Sequence, residues 1–353
     1  MLKNKYNNYQ NIVNEIYRNF LENDKSLTLV TRDAKESEYL YNVLNIFAPK
    51  DNIFLFPESE ILPYDHFSMP EKVIKDRFQI INKISKQKHI VVVSIKSLFE
   101  RYPVKEYFES FNKFTIKDNI SVKSLIEIIE SLNYSKKVNV ESINEYAIRG
   151  GIIDIFSPIY ENPLRIEIFD DTIESIRFFN IESQLSINNI ENFSISKGSI
   201  FSLDENKIDL FISRWRDYFH NYDERFCSLF QNIKNGIIPE GIEVYFPLLF
   251  NKTSQFKDLF PKNTFLTFED LVPEIENYSN FIEERFDDEH YDQKRPILRP
   301  NDSFIEKKDV TEMLDKSLMI SAPKLEIKPE SFDELIKIIG SDRYKENFLI
   351  VTS

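Results

Sequence analysis

Glycine is scarce in this sequence. The chain has six glycines in 353 residues, and the first two, Gly150 and Gly151, directly follow Arg149. Nucleotide-binding loops need glycine, because backbone N–H groups must approach the phosphates closely. Neither G-x-x-x-x-G-K-[ST] nor G-x-G-x-x-G occurs anywhere in the chain. We therefore expect neither nucleotide hydrolysis, nor a catalytic site, nor a cofactor in this chain.

The cysteine count, the histidine spacing and the lack of long apolar segments exclude further classes of protein. The one cysteine, Cys227, excludes a disulfide framework and any multi-cysteine metal site. The four histidines show no paired metal-ligand spacing, no run approaches 18 apolar residues, and the polar N-terminus has no signal-peptide core. These features predict a cytoplasmic protein with no metal and no membrane partner. A net charge of −13 also argues against an independent nucleic-acid binder.

The periodicity of apolar residues divides the chain into three predicted domains. Residues 1–113 alternate helical and strand patterns, and two strands are apolar on both sides, which is typical of a buried parallel sheet. Residues 114–200 begin with a helix capped by Ser121 and then change to a period of two. Residues 201–353 return to a mixed pattern. The predicted fold class is α/β, with a parallel-sheet domain and an inserted α+β domain that carries an antiparallel sheet.

Local patterns add detail to these domains. Ser68 to Glu71 has the spacing of a helix-capping box. Residues 212–233 read as helical, and the glycines and prolines of residues 235–250 predict short strands. The sequence ends on the apolar segment FLIVTS. A buried strand is a poor chain terminus, so we expect this sequence to be part of a longer protein.

Two acidic segments could carry chemistry. Glu58, Glu60 and Asp65 could form an acid/base cluster, and residues 287–292 could gather a divalent cation. Solvated polar loops are the simpler interpretation of both. Cys227 and Trp215 lie among apolar residues and are expected in the core.

The strand at residues 163–169 presents two different faces. Alternation sends Leu164, Ile166 and Ile168 to one face, which reads as core, and the intervening residues to the other. The other face combines a cation, an anion and an aromatic ring. On this strand its residues are Arg165, Glu167 and Phe169, and neighbouring strands add Asp154 and Arg177 as candidates. Arginine beside an aromatic residue is typical of a binding hot spot. A solvated sheet face with one exposed phenylalanine is the alternative.

Several segments resemble one known family. NEYAIRGGIIDIF (144–156) and PLRIEIFDDTIESIRFFNIESQ (163–184) resemble a motif of the bacterial transcription-repair coupling factors (Mfd), which also occurs in related form in the helicase UvrB. ESEILPYDHF, SRWRDYF, IPEGIEVYFPLLF and RPILRP resemble flanking segments of the same family, in the same order. The resemblance runs from about residue 26 to residue 305. UvrB keeps a Walker A motif in its first domain, so its loss here favours the coupling factors.

The resemblance implies a UvrB-like module of a large ATP-dependent DNA translocase. In this family, domains 1a, 2 and 1b correspond to residues 1–113, 114–200 and 201–353, and domain 2 binds UvrA. The family displaces RNA polymerase stalled at DNA lesions and recruits excision repair. Motor domains that bind ATP and magnesium, and the regions that contact RNA polymerase and double-stranded DNA, lie outside this sequence. A C-terminal domain of the same protein covers the UvrA-binding face in the autoinhibited state.

The resemblance also implies site residues. The UvrA-contacting residues of the family fall on Arg149, Arg165 and Phe169. Strand alternation, and not the resemblance, adds Asp154, Glu167 and Arg177 as candidate support on the same face. Asn144 stands where the family has glycine; asparagine tolerates a positive φ, so the turn can persist. An active UvrB-like helicase or damage-binding subunit is the alternative function, and a small-molecule enzyme using the acidic loop is a third.

Overall fold

The computed structural model describes residues 2–47, 52–84, 88–109, 112–197, 199–201 and 203–319. Its helices are α1 Leu2–Glu22, α2 Ala34–Phe47, α3 Glu71–Ile84, α4 Ile95–Phe99, α5 Lys105–Glu109, α6 Val122–Ser131, α7 Glu205–Tyr218, α8 Ser228–Lys234, α9 Phe246–Leu249, α10 Phe256–Leu259, α11 Val272–Glu289, α12 Pro300–Ser303 and α13 Lys307–Asp315. Its strands are β1 Leu27–Thr31, β2 Ile53–Leu55, β3 Ile90–Ser94, β4 Tyr102–Pro103, β5 Asn112–Thr115, β6 Ser135–Lys136, β7 Glu145–Arg149, β8 Ile152–Ile155, β9 Leu164–Phe169, β10 Thr172–Phe179, β11 Ser186–Asn189, β12 Asn192–Ile195, β13 Thr253–Ser254, β14 Thr264–Thr267 and β15 Leu318–Met319. The terminal segment FLIVTS lies outside the described residues.

Five strands form a parallel sheet. Its strand order is β15-β14-β1-β3-β2, and every neighbouring pair is parallel. Strands β1 and β3 are buried on both faces, which explains their continuous apolar sequences. Alternate residues of β3 serve different cores: Ile90 and Val92 pack with helices α1 and α2, whereas Val91 and Val93 belong to the core on the opposite face. The predicted doubly wound parallel layer is therefore confirmed.

Strands from the beginning and the end of the chain share this sheet. β14 pairs directly with β1, and β15 extends the same edge. The first and third predicted domains thus contribute to one sheet. The boundaries that we assigned to the three domains stay a prediction.

The inserted segment forms a second sheet of six strands. Its order is β11-β10-β9-β8-β7-β6, antiparallel throughout except for the short parallel pair β6 and β7. Helix α6 starts as predicted, because the Ser121 side chain accepts a hydrogen bond from the N–H of Ser124. Its residues Leu125 and Ile129 are fully buried against the apolar face of the sheet. The α+β character predicted for this segment is confirmed.

The chain enters and leaves the inserted segment side by side. β5, on the way in, pairs antiparallel with β12, on the way out. Phe114 and Phe193 face each other across this pair with ring centroids 5.1 Å apart. This two-stranded connection joins the insertion to the parallel-sheet layer.

The third stretch differs from its prediction in two places. The segment at 212–233 is not one helix: α7 ends at Tyr218, a 3-10 turn covers Glu224–Phe226, and α8 begins at Ser228. The Asp223 side chain accepts from the N–H of Arg225 and so starts the new turn. Trp215 and Cys227 are buried as expected.

The short strands predicted for residues 235–250 are wrong. A 3-10 helix covers Ile242–Tyr245 and α9 follows it directly. Gly241 has φ +71° and lies against the backbone of Asp65 and His66, and its N–H donates to the Ser68 hydroxyl. Ser68 also donates to Glu243, so it holds these two segments together, and helix α3 begins at Glu71, after the proline. A long-range contact therefore decides the local structure here.

The two adjacent glycines serve different purposes. Gly150 has φ +63°, the left-handed conformation that lets β7 turn tightly into β8. Gly151 lies against β9, where an added Cβ would come within 2.5 Å of the Ile168 carbonyl oxygen. Asn144, at the other end of β7, has φ 65° as its asparagine character suggested.

No helix among the described residues combines the length and the apolar character needed to cross a membrane.

These two glycines give a matched pair of substitutions. Gly151→Ala is expected to lower the free energy of unfolding by about 1–3 kcal/mol, because the methyl group must displace the β9 backbone. Gly150→Asn is the control, since space is open around its Cβ position and asparagine tolerates left-handed φ; its expected loss is below about 1 kcal/mol. Urea denaturation measures both, and equal losses would contradict this assignment.

Candidate docking face

Strand register brings the predicted polar residues onto one face of the six-stranded sheet. Directly opposite residues run from Ala147 through Asp154 and Arg165 to Arg177 across four neighbouring strands. The next row runs from Arg149 through Ile152 to Glu167. Phe169 ends β9 beyond both rows. We call the set Arg149, Ile152, Asp154, Arg165, Glu167, Phe169 and Arg177 the docking face.

A buried carboxylate organises the middle of the docking face. Asp154 is 1% exposed and accepts hydrogen bonds from two arginines. Arg165 donates from Nε to Oδ1 at 2.7 Å and from Nη2 to Oδ2 at 2.8 Å, which is the bidentate geometry of a strong pair. Arg149 donates from Nη2 to the same Oδ2 at 2.8 Å. Without these cations, a carboxylate buried this deeply would be strongly unfavourable.

Arg165 is also fixed on its other sides. Its Nη1 and Nη2 donate to the backbone oxygen and the side-chain oxygen of Gln184, both at 3.3 Å. Its guanidinium lies over the ring of Phe179, 4.5 Å from the centroid, as a cation–π contact. The hydrogen bonds to Asp154 raise the pKa of Arg165 above its ordinary value, so the charge is permanent.

A second, more exposed charge group lies beside the first. Glu167 accepts from the Ser175 hydroxyl at 3.0 Å and from Nη1 of Arg177 at 3.3 Å. Arg177 also donates to the Ser175 hydroxyl at 3.1 Å. Two more of the predicted same-face residues are thus brought together, in a pair that is open to solvent.

Phe169 stands at the end of the β9–β10 hairpin and is 73% exposed. The two-residue turn after it consists of Asp170 and Asp171, with φ of 48° and 54°. Positive φ at both positions is the type I′ pattern that matches strand twist. The tight turn predicted from Asp170-Asp171 is therefore confirmed, and the phenylalanine next to it makes the face apolar at this end.

The opposite end of this sheet face is covered. Val140, Ile143, Ala147, Phe156 and Phe179 form a small separate core on the side away from α6. This packing leaves Arg149, Ile152, Glu167 and the hairpin tip as the accessible part, whereas Ala147 and Asp154 are buried and Arg165 is 15% exposed. The face is therefore half core and half polar surface, and not polar throughout.

Three residues in or behind the docking face escaped the sequence reasoning. Gln184 and Phe179 hold Arg165, and Ile152 lies partly exposed between Arg149 and Glu167. Gln184 belongs to the IESQ segment that carried the family resemblance, so its presence there was an available signal. The positions of Ile152 and Phe179 follow once the strand register is known.

The carboxyl edge of the parallel sheet is where nucleotides bind in doubly wound folds. Here the N-terminus of α2 is occupied by the chain's own side chains. The Glu36 carboxylate accepts from the backbone N–H of Arg32 at 3.0 Å and pairs with its guanidinium, while the Asp33 carboxylate accepts from the N–H of Glu36 at 2.8 Å. Glu269, after β14, lies 3.2 Å from Nε of Arg32.

Glu269 has an unusual protonation equilibrium. Burial, and next the negative charge of Glu36, raise its pKa to about 7, although Arg32 acts in the opposite direction.

Within the part of the chain that the structure describes, no group of three or more His, Cys, Asp or Glu side chains is arranged to hold a metal ion.

Comparison with known proteins matches the region that contains this face. Residues 113–201, which contain every residue of the docking face, match the family model described as the UvrB interaction domain. This part of the chain is therefore similar to the UvrB interaction domain.

Longer matches extend beyond that domain. The chain is 28% identical to the transcription-repair-coupling factor of Haemophilus influenzae over 314 residues, covering 88% of this chain and 27% of the relative. It is 27% identical to that of Escherichia coli over 309 residues, covering 86% and 26%, and 24% identical to that of Rickettsia bellii over 355 residues, covering 93% and 31%. The resemblance to an N-terminal module of the transcription-repair coupling factors is confirmed. The chain spans about a quarter to a third of the length of these relatives.

The contacts of Asp154 predict that removing Arg165 destabilises the fold more than removing Arg149. Arg165→Ala is expected to lower the free energy of unfolding by about 3 kcal/mol, because it leaves Asp154 buried with one of its three hydrogen bonds from arginine. Arg149→Ala, whose side chain is 50% exposed, is expected to cost less than about 1 kcal/mol. Urea denaturation of both variants tests this difference, and a larger loss for Arg149→Ala would refute it.

Glu269 predicts a pH effect on stability. The pKa of Glu269 is raised in the folded state. Its contribution to the free energy of unfolding is therefore full below about pH 4.5, declines as the unfolded chain releases the proton, and is lost once the pH passes about 7. Glu269→Gln removes this titration. The melting temperature of the variant, relative to that of the wild type, is expected to rise between pH 5 and pH 8. Glu269→Asp keeps a titrating carboxyl and is the control; a constant difference for Glu269→Gln would contradict the raised pKa.

Proposed function

We propose that this chain is a non-catalytic docking module that binds UvrA through a face built from Arg149, Arg165 and Phe169. One observation carries the proposal: the region that matches the UvrB interaction domain holds these three residues on a single sheet face. The similarity to transcription-repair-coupling factors supports a role in repair linked to transcription.

The docking face offers both kinds of contact that protein interfaces use. Half of the Arg149 side chain is exposed, and arginine is suited to bidentate pairing with a partner carboxylate. Phe169 can bury a large apolar area in a pocket of the partner. Arg165 supports the same face from beneath, with 15% of its side chain exposed.

The proposal for the whole protein goes further. We propose that it couples UvrA recruitment to RNA polymerase stalled at DNA lesions, and that regions beyond this chain bind RNA polymerase, double-stranded DNA, ATP and magnesium in the cytoplasm. A C-terminal domain of the same protein would cover the docking face in an autoinhibited state. The length of the relatives, three to four times the matched segment, leaves room for such domains.

A non-catalytic role for this chain has its own support. The carboxylate of Glu36 accepts a hydrogen bond from the backbone N–H of Arg32, in the loop between β1 and α2. In doubly wound folds, this is the sheet edge where phosphates bind. A second carboxylate, Glu269, lies beside it. Negative charge at this place disfavours a nucleotide phosphate.

Binding to purified UvrA tests the docking face. Arg149→Ala and Phe169→Ala are each expected to weaken the complex at least about tenfold, because accessible arginine and aromatic anchors carry most of the energy of an interface. Arg149→Ala is also expected to reduce the salt dependence of binding. Isothermal titration calorimetry at two salt concentrations measures both effects.

Two controls of the same residue types are available outside the face. Arg225 and Phe226 lie in the 3-10 turn of the third stretch, with the Arg225 side chain 80% exposed and Phe226 67% exposed. Arg225→Ala and Phe226→Ala are expected to bind UvrA within about twofold of the wild type. Wild-type affinity in the Arg149→Ala, Phe169→Ala double variant would refute the site, and no binding by the wild-type chain would refute the function.

A further inference from the structure

Within the docking face, we infer that Asp154 is a positioning residue: its buried carboxylate holds the Arg149 guanidinium in place for the partner, while Arg165 faces inward and secures that carboxylate. The inference rests on the proposed function and assigns separate roles to the two arginines.

Most of the hydrogen-bond donors of Arg165 are paired with groups inside the protein. A guanidinium has five N–H donors, and Arg165 spends four of them on Asp154 and Gln184. One face of the group is covered by Phe179. These contacts leave Arg165 little capacity for a new bidentate pair with a partner carboxylate.

Arg149 has the opposite arrangement. It is the last residue of β7, directly before the left-handed turn at Gly150, so the backbone places its side chain at the edge of the face. One bond, to Oδ2 of Asp154, restricts a side chain that is half exposed. Because a long side chain loses rotamer freedom when it binds, a bond that restricts it beforehand strengthens the complex.

The charge balance defines the chemistry of the partner. Asp154 is shared by two arginines, so one positive charge remains uncompensated in this group. Arg177 and Glu167 compensate each other nearby. The surplus charge is on the accessible arginine, and it suits a carboxylate on the UvrA surface.

A double-mutant cycle on UvrA binding tests the inference. Arg149→Ala is expected to weaken binding about tenfold in the wild type but less than about threefold in Asp154→Asn, because the freed arginine has already lost its orientation. Dissociation constants of the four proteins measure this coupling. A purely structural role for Asp154 would leave the two effects independent, so equal fold-changes for Arg149→Ala in both backgrounds would overturn the inference.

The control for the cycle is Asp223→Asn, which removes a carboxylate paired with an arginine outside the face. In that background Arg149→Ala is expected to have its full effect. Failure of the wild-type chain to bind UvrA would refute the proposed function, whereas binding with an additive cycle would refute the inference alone.

Arg165→Lys decides the question if Asp154→Asn does not fold. Lysine keeps a cation beside Asp154, so the bond from Arg149 persists and binding is expected to fall less than about threefold. A folded Arg165→Lys chain that no longer binds UvrA would show that Arg165 itself meets the partner, and would overturn the inference.

Discussion

The carboxylate of Asp154 is the group on which the docking face depends. It is buried on a sheet face where the neighbouring positions could have been apolar, and a buried anion requires hydrogen-bonded cations. That requirement fixes Arg165 across the strand and draws in Arg149 from the end of β7. The contacts of Gln184 with Arg165 then tie the segment before β11 to the same group. A single buried charge thus determines how side chains from several strands are arranged.

Much of the fold follows from local pattern. Continuous apolar strands predicted the parallel sheet, and alternation in β9 separated Leu164 and Ile166 from Arg165 correctly. Pattern failed where a distant segment decides the conformation. Residues 242–249 form helical turns where strands were predicted; just before them Gly241 lies against the loop that contains His66, and no local periodicity encodes that contact.

The docking face, like the fold, could be predicted from the sequence only in part. The sequence could place Arg165 and Phe169 on one side of their strand, and the resemblance could add Arg149. It could not show that Asp154 lies opposite Arg165, because register between strands depends on turns and bulges elsewhere. The burial of Asp154 and the packing of Phe179 under the guanidinium are consequences of that register. The assignment of these residues to UvrA contact stays a prediction.

The irregularity in β10 has a consequence of its own. Ile173 and Ile176 both face the core although they are three positions apart, which is possible because the pairing with β9 shifts between Ile173 and Ser175. Glu174 is the extra residue, and every side chain of β10 after it lies on the face opposite to the one that simple alternation would give. Changing the number of residues before Arg177 by one would therefore move that side chain to the core face, whereas a change of two would keep it on the docking face.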